Sequence, residues 1–139
     1  MDENHVRLKP LGLAFTFAPI ATITGAYTKV VASIRTARAT AIIFVGQILP
    51  MHPDGCMNGQ NGCPDNRVEE LNAAIPAWAT SLSTATSPIH VVNIYASFGD
   101  ESAFVPNSSL SGDGVHPTAS AAGMMADAWM AALTGAGIP

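Results

Sequence analysis

The segment at 41–49 (AIIFVGQIL) constrains this chain more than any other, because it is apolar nearly throughout and is closed by Pro50. An apolar run of this length without polar alternation is how a strand reads when both faces of a parallel sheet are covered. Such a strand needs hydrogen-bonding neighbours and a helical layer on each side. A second, shorter run at 90–95 (HVVNIY), entered through Ser87 and Pro88, reads as another strand, with His90 at its start taken as structural.

Helical periodicity fills the intervals. Tyr27, Val30, Val31 and Ile34 recur at i, i+3, i+4 and i+7, which predicts a helix over 25–39 with one apolar face. Arg35 and Arg38 fall in its last turn, where positive charge suits the helix dipole. Val68, Leu71, Ile75, Trp78 and Leu82 step by 3 or 4 and mark the buried face of a helix over 66–83. Pro76 lies inside it and is expected to kink or divide it; Trp78 reads as core. A last helix over 118–133 places Ala122, Met125, Trp129 and Leu133 on one face, flanked by Met124 and Ala132, with Gly135 as its stop. Helices alternating with strands place the chain in the α/β class with a parallel sheet.

The 139 residues suffice for one domain. Hydrophobic residues make up 48% and charged residues 12% of the chain; the charged share is about half the usual one, so the chain is rich in core. A net charge of −4, with no basic run, gives no reason to expect nucleic acid or an anionic membrane as partner.

Residues 1–10 are polar and of mixed charge, and 11–23 (LGLAFTFAPIATI) are apolar. With Arg7 and Lys9 before it, this run resembles a signal-peptide core. Asp2 and Glu3 spoil the positive start, Pro19 interrupts the run, and no clean small-x-small cleavage site follows. The run is too short to span a bilayer. It is therefore read as an ordinary buried segment, unassigned, ahead of a single domain portion over 24–139.

Cys56 and Cys63 lie in a polar, glycine-rich loop, which suggests a small disulfide loop and an oxidising compartment. Two unpaired thiols are the alternative. His52 and Asp54 could join both cysteines around a metal, but the spacing matches no zinc pattern. Asn107-Ser108-Ser109 fits the N-glycosylation acceptor pattern and adds weakly to a secretory reading.

The chemistry concentrates in 113–117 (DGVHP), at the end of a long Ser-, Gly- and Asp-rich loop over 96–117. Asp113 stands three residues before His116, and Gly114 permits a tight turn between them. In a Ser-His-Asp hydrolase the imidazole is the general base, and the carboxylate fixes its tautomer and stabilises the imidazolium. The turn follows the second strand, so it falls on the rim where open α/β sheets place their sites.

From about residue 24 to residue 133 the chain resembles the C-terminal half of an SGNH (GDSL-type) hydrolase, closest to secreted carbohydrate esterases. The matching pieces are IIFVGQILPM at 42–51, ELNAAIP at 70–76, VVNI at 91–94, DGVHP at 113–117, MMA at 124–126 and Trp129. The resemblance implies a three-layer α/β/α, flavodoxin-like fold, here reduced to the last two of five parallel strands with their helices. It also implies Asp113 as orienting carboxylate and His116 as general base, a small acyl or acetyl ester of a carbohydrate as substrate, and neither metal nor organic cofactor.

The chain departs from the family pattern in its first half. The family carries a Gly-Asp-Ser turn with the nucleophile, a glycine donating an oxyanion N–H, and a Gly-x-Asn-Asp turn; none of these is present, nor is a G-x-S-x-G elbow. Gly99-Asp100-Glu101-Ser102 looks similar but has an extra residue and follows the wrong strand, so Ser102 is not assigned as nucleophile. Without a nucleophile, hydrolysis by this chain alone is expected to be absent or barely detectable. A truncated gene model, a splice form or a decayed copy would each account for the pattern. Two strands also leave an apolar edge open to self-association or to a complementing partner chain. Residues 1–23 could supply one replacement strand, for example around 13–17.

Overall fold

The computed structural model describes residues 18–51, 64–99 and 109–138. The elements are α1 (Ile20–Ala37), β1 (Ile43–Gly46), α2 (Pro64–Leu82), β2 (Ile89–Val92), a 3-10 turn (Tyr95–Phe98) and α3 (Ala119–Gly135). β1 and β2 pair in parallel, with Ile43 opposite Ile89 and Gly46 opposite Val92. Side chains alternate across the pleat. Ile43, Val45, Ile89 and Val91 pack on one face with Val31 of α1 and Trp78, Ala79 and Leu82 of α2. Phe44 and Val92 pack on the other with Ile94, Phe98 and the inner face of α3. The result is three layers, helix pair, sheet and helix, as expected for the α/β class.

Each element ends for an identifiable reason, and several boundaries differ from those expected. β1 covers only four residues of the apolar run at 41–49. Gln47 N still donates to Val92 O at 2.9 Å. At Ile48 a side chain replaces the neighbouring strand: Asn72 Oδ1 accepts from Ile48 N, and Asn72 Nδ2 donates to Ile48 O, both at 2.8 Å. β2 stops at Val92, short of residue 95, because Asn93 Oδ1 accepts from Ala96 N at 3.0 Å and bends the chain into the 3-10 turn.

Pro76 does not divide α2, which runs unbroken from Pro64 to Leu82. A proline frees the carbonyl four residues earlier, here that of Asn72. That carbonyl accepts from Gln47 Nε2 at 3.0 Å. The expected face of α2 is confirmed at Val68, Leu71 and Ile75, all buried, with Ile75 fully so. Asn72, 4% exposed, is buried among them.

α1 begins at Ile20 rather than 25, absorbing the end of the apolar run. Of its expected face only Val31 is buried; Val30 is 57% exposed. Arg35 does more than face a dipole. Its Nε donates to Ser87 Oγ at 2.9 Å and its Nη2 to Ser87 O at 2.7 Å. Ser87 Oγ in turn donates to Ala41 O at 2.7 Å. One guanidinium thus ties α1 to the turn before β2, and through it to the turn before β1.

α3 buries Ala121 where Ala122 was expected; Ala122 is exposed. Met124, Met125, Ala128, Trp129 and Ala132 complete the inner face. The stop is Gly137, at φ 73, rather than Gly135. Gly137 N donates to Thr134 O and Ile138 N to Leu133 O, a Schellman closure. Gly46 lets α3 approach β1, since a Cβ there would lie 2.9 Å from Ile94 Cδ1 and 3.1 Å from Trp129 Cζ2.

Among the described residues no helix is long and apolar enough to cross a membrane.

Candidate active site

The turn bearing Asp113 and His116 is closed at its base. Ser111 and Pro117 form an antiparallel bridge, Thr118 N donates to Leu110 O at 2.9 Å, and the Thr118 hydroxyl donates to Ser109 O. Thr118 is also the N-cap of α3, its Oγ1 accepting from Ala121 N at 3.3 Å. Since Ala121 packs against Val92, Ile94 and Phe98, the turn is fixed just beyond the carboxyl end of β2.

Within the turn Gly114 is buried and adopts φ 74, a left-handed conformation that a side chain would strain. The chain there curls around the Asp113 carboxylate. Oδ1 accepts from Val115 N at 3.0 Å and from His116 N at 2.8 Å. Ser111 Oγ, buried, donates to the same oxygen at 3.4 Å. Oδ2 lies 2.6 Å from His116 Nδ1. The hydrogen bond to the His116 ring, reinforced by the His116 and Val115 amides, holds the Asp113 carboxyl well below the usual carboxylate range.

A carboxylate only accepts hydrogen bonds, so in the neutral imidazole the proton sits on Nδ1 and the lone pair on Nε2. That is the tautomer a general base requires. The His116 side chain is 82% exposed, and among the described residues nothing hydrogen-bonds to Nε2. The apolar groove of about 370 Å³ elsewhere on the molecule includes neither Asp113 nor His116 in its lining.

The structure brings Asp113 and His116 together. Ser102, Asn107, Cys56, Cys63, His52 and Asp54 lie outside the described residues, so the disulfide, metal and nucleophile readings stand as sequence expectations. His90 stacks on Phe44, with ring centroids 5.0 Å apart, as a structural residue. Trp78 packs in the core and donates from Nε1 to Thr28 Oγ1 at 3.0 Å. Sequence reasoning missed the Gln47–Asn72 clamp beyond the carboxyl end of β1. Its one available signal was Pro76, which predicts a free carbonyl at residue 72. It also missed Ser111, whose position two residues before an aspartate carries no distinctive signal.

No protein-family model matches the sequence, and no curated protein does. Solved structures do. A carbohydrate esterase family 3 protein from Talaromyces cellulolyticus superposes with a TM-score of 0.66 at 25% identity, covering 86% of this chain and 50% of that one. A serine-to-alanine variant of an acetyl esterase, with acetate ion, gives the same values: TM-score 0.66, 25% identity, 86% and 50% coverage. A protein from Streptococcus pneumonia, described as a platelet activating factor, matches at TM-score 0.59 and 15% identity, covering 86% of this chain and 52% of that one. The last likeness bears on fold alone. Together they give the chain an SGNH-like α/β fold. The chain spans about half the length of the solved structures it matches.

Proposed function

We propose that this chain carries the acid–base half of an SGNH-type ester hydrolase acting on acyl or acetyl esters of carbohydrates. The observation that carries the reading is the 2.6 Å approach of Asp113 Oδ2 to His116 Nδ1 in a turn locked against α3. His116 Nε2 takes the proton from an attacking serine hydroxyl and returns it to the leaving alcohol. Asp113 holds the ring in the productive tautomer and stabilises the imidazolium. Neither a metal nor an organic cofactor enters this scheme. The carbohydrate esterase and acetyl esterase likenesses support the substrate class. Secretion and a Cys56–Cys63 disulfide belong to the same reading.

The nucleophile and oxyanion donors are not among this chain's motifs, so it is inactive or barely active alone. A second reading, a non-catalytic module that pairs with a strand-supplying partner, is favoured by β1 having a strand neighbour on one side only among the described residues.

The test is hydrolysis of p-nitrophenyl acetate by the purified chain, alone and co-expressed with the N-terminal half of an acetyl esterase, each with His116→Ala as control. The chain alone is expected to match buffer, and the pair to hydrolyse the ester only when His116 is present. A pair that forms without hydrolysis favours the second reading. Hydrolysis that survives His116→Ala removes the proposed base.

A further inference from the structure

We propose that Ser111 is a positioning residue for the Asp113–His116 pair: its buried hydroxyl fixes the plane of the Asp113 carboxylate, and through it the proton on Nδ1 of His116. The inference rests on the acid–base reading above and adds to it a residue that does not touch the substrate.

The pair itself lies open to water. The His116 side chain is 82% and the Asp113 side chain 54% exposed. The terminal torsion of a carboxylate is broad, and an imidazole takes its proton on whichever nitrogen its surroundings favour. Water competes for both groups, so their mutual hydrogen bond holds neither in place by itself.

Three donors converge on Asp113 Oδ1. Two are the amides of Val115 at 3.0 Å and His116 at 2.8 Å, which belong to the turn between the pair. The third is Ser111 Oγ at 3.4 Å, the one side-chain donor of the three. Ser111 is 1% exposed, and among the described residues its hydroxyl has no other hydrogen bond. An ionised carboxylate only accepts, so the hydroxyl donates, and it rotates to do so. A buried hydroxyl that gives up its acceptor is left with its desolvation cost unrelieved. The bond is longer than an ideal one, and burial is what makes it persist.

Ser111 is in turn tied to the core. Its neighbour Leu110 packs against the cluster of Val92, Ile94, Phe98 and Ala121. Leu110 O accepts from Thr118 N at 2.9 Å, and Ser111 is bridged to Pro117. One carboxylate oxygen is thus referenced to the packed layer beyond β2, and the other stays 2.6 Å from His116 Nδ1. The same contact excludes Ser111 as the nucleophile of the pair. Its proton goes to Asp113 rather than to His116 Nε2, and the residue is shut from solvent.

NMR of the full 139-residue chain tests the proposal. At about pH 8.5, above the ordinary titration range of histidine, the imidazole nitrogen shifts of His116 give the ratio of Nδ1–H to Nε2–H forms. The Nδ1–H form is expected in excess in the wild type. Ser111→Ala should lower that ratio about threefold or more, the effect of one modest hydrogen bond, with amide exchange in α3 unchanged. Ser111→Thr keeps the hydroxyl and should restore the ratio. A wild-type ratio in Ser111→Ala would overturn the proposal, and a loss shared equally by Ser111→Thr would overturn it by assigning the effect to packing. A wild type without the Nδ1–H excess would fail differently, removing the acid–base reading together with this inference. In the wild type alone, the Ser111 hydroxyl proton should exchange with water at least about tenfold more slowly than exposed serine hydroxyls, read from the isotope shift at Ser111 Cβ in mixed light and heavy water. Exchange at the exposed rate would overturn the proposal, and this measurement stands even if the variants do not fold.

Discussion

The backbone carbonyl of Asn72 takes the side-chain amide of Gln47 at 3.0 Å because Pro76, four residues on, has no N–H to give it. The Asn72 side chain meanwhile pairs with both backbone groups of Ile48 at 2.8 Å. One buried residue thus terminates β1 and joins it to α2 at the rim where the candidate site lies.

Asn72→Ala leaves the N–H and C=O of Ile48 without their partners in a half-buried setting. Each such loss costs on the order of 1–3 kcal/mol, so a total near 3 kcal/mol is expected in urea unfolding. Asn72→Asp keeps the acceptor for Ile48 N and loses the donor to Ile48 O, and should fall between wild type and alanine. A loss below about 0.5 kcal/mol for Asn72→Ala, the ordinary range for surface substitutions, would show that the clamp contributes nothing.

Gly46→Ala puts a methyl group 2.9 Å from Ile94 Cδ1 and 3.1 Å from Trp129 Cζ2. Both neighbours are packed in the sheet–α3 layer, so Ile94 Cδ1 must swing aside and the Trp129 ring must give by a few tenths of an ångström. Overpacking of this kind costs about 1–3 kcal/mol. Trp129 should report it as a changed near-ultraviolet circular dichroism signal, and an unchanged signal at wild-type stability would contradict the tight approach.

Element order and the Asp113–His116 turn were legible because both are local. Periodicity at Val68, Leu71 and Ile75 is set by one helix against its own core, and a carboxylate three residues from an imidazole across a glycine is set within one turn. Element ends were not legible. β1 stops where Asn72, a residue of another helix, takes over from the ladder, and α1 exposes Val30 and Ile34 because no described element lies beneath them. Ser111 and Gln47 depend likewise on tertiary neighbours, which no window of sequence contains. Arg35 read as a helix-end charge, yet its partner is Ser87, 52 residues away.

That pairing yields a further prediction. Ser87→Ala removes the acceptor for Arg35 Nε and the donor to Ala41 O. Hydrogen bonds involving a charged partner contribute about 1.5–3 kcal/mol, and a loss near 2 kcal/mol is expected. Arg35→Ala in the Ser87→Ala background should cost less than it does alone. Additive losses in that double-mutant cycle would mean the two side chains stabilise the fold independently.

The last prediction concerns acid. The Asp113 carboxyl is held well below the usual carboxylate range, first by its hydrogen bond with the His116 ring and then by the amides of His116 and Val115. A group whose pKa is lowered on folding stabilises the native state above its unfolded value, near 4 for an aspartate, and loses that contribution as pH falls from there towards the depressed value. Between neutrality and about pH 4 the turn should therefore be indifferent to pH on this residue's account. Below about pH 4 stability should decline while the carboxylate inside folded molecules stays ionised. Amide shifts of Val115 and His116, followed by NMR, report the carboxylate directly because both N–H groups point at Oδ1. They should hold steady through pH 4, and Asp113→Asn should remove this residue's share of the acid-dependent loss of stability. A titration midpoint at the ordinary aspartate value would show that the carboxylate is not engaged, and with it the geometry proposed for the general base would fail.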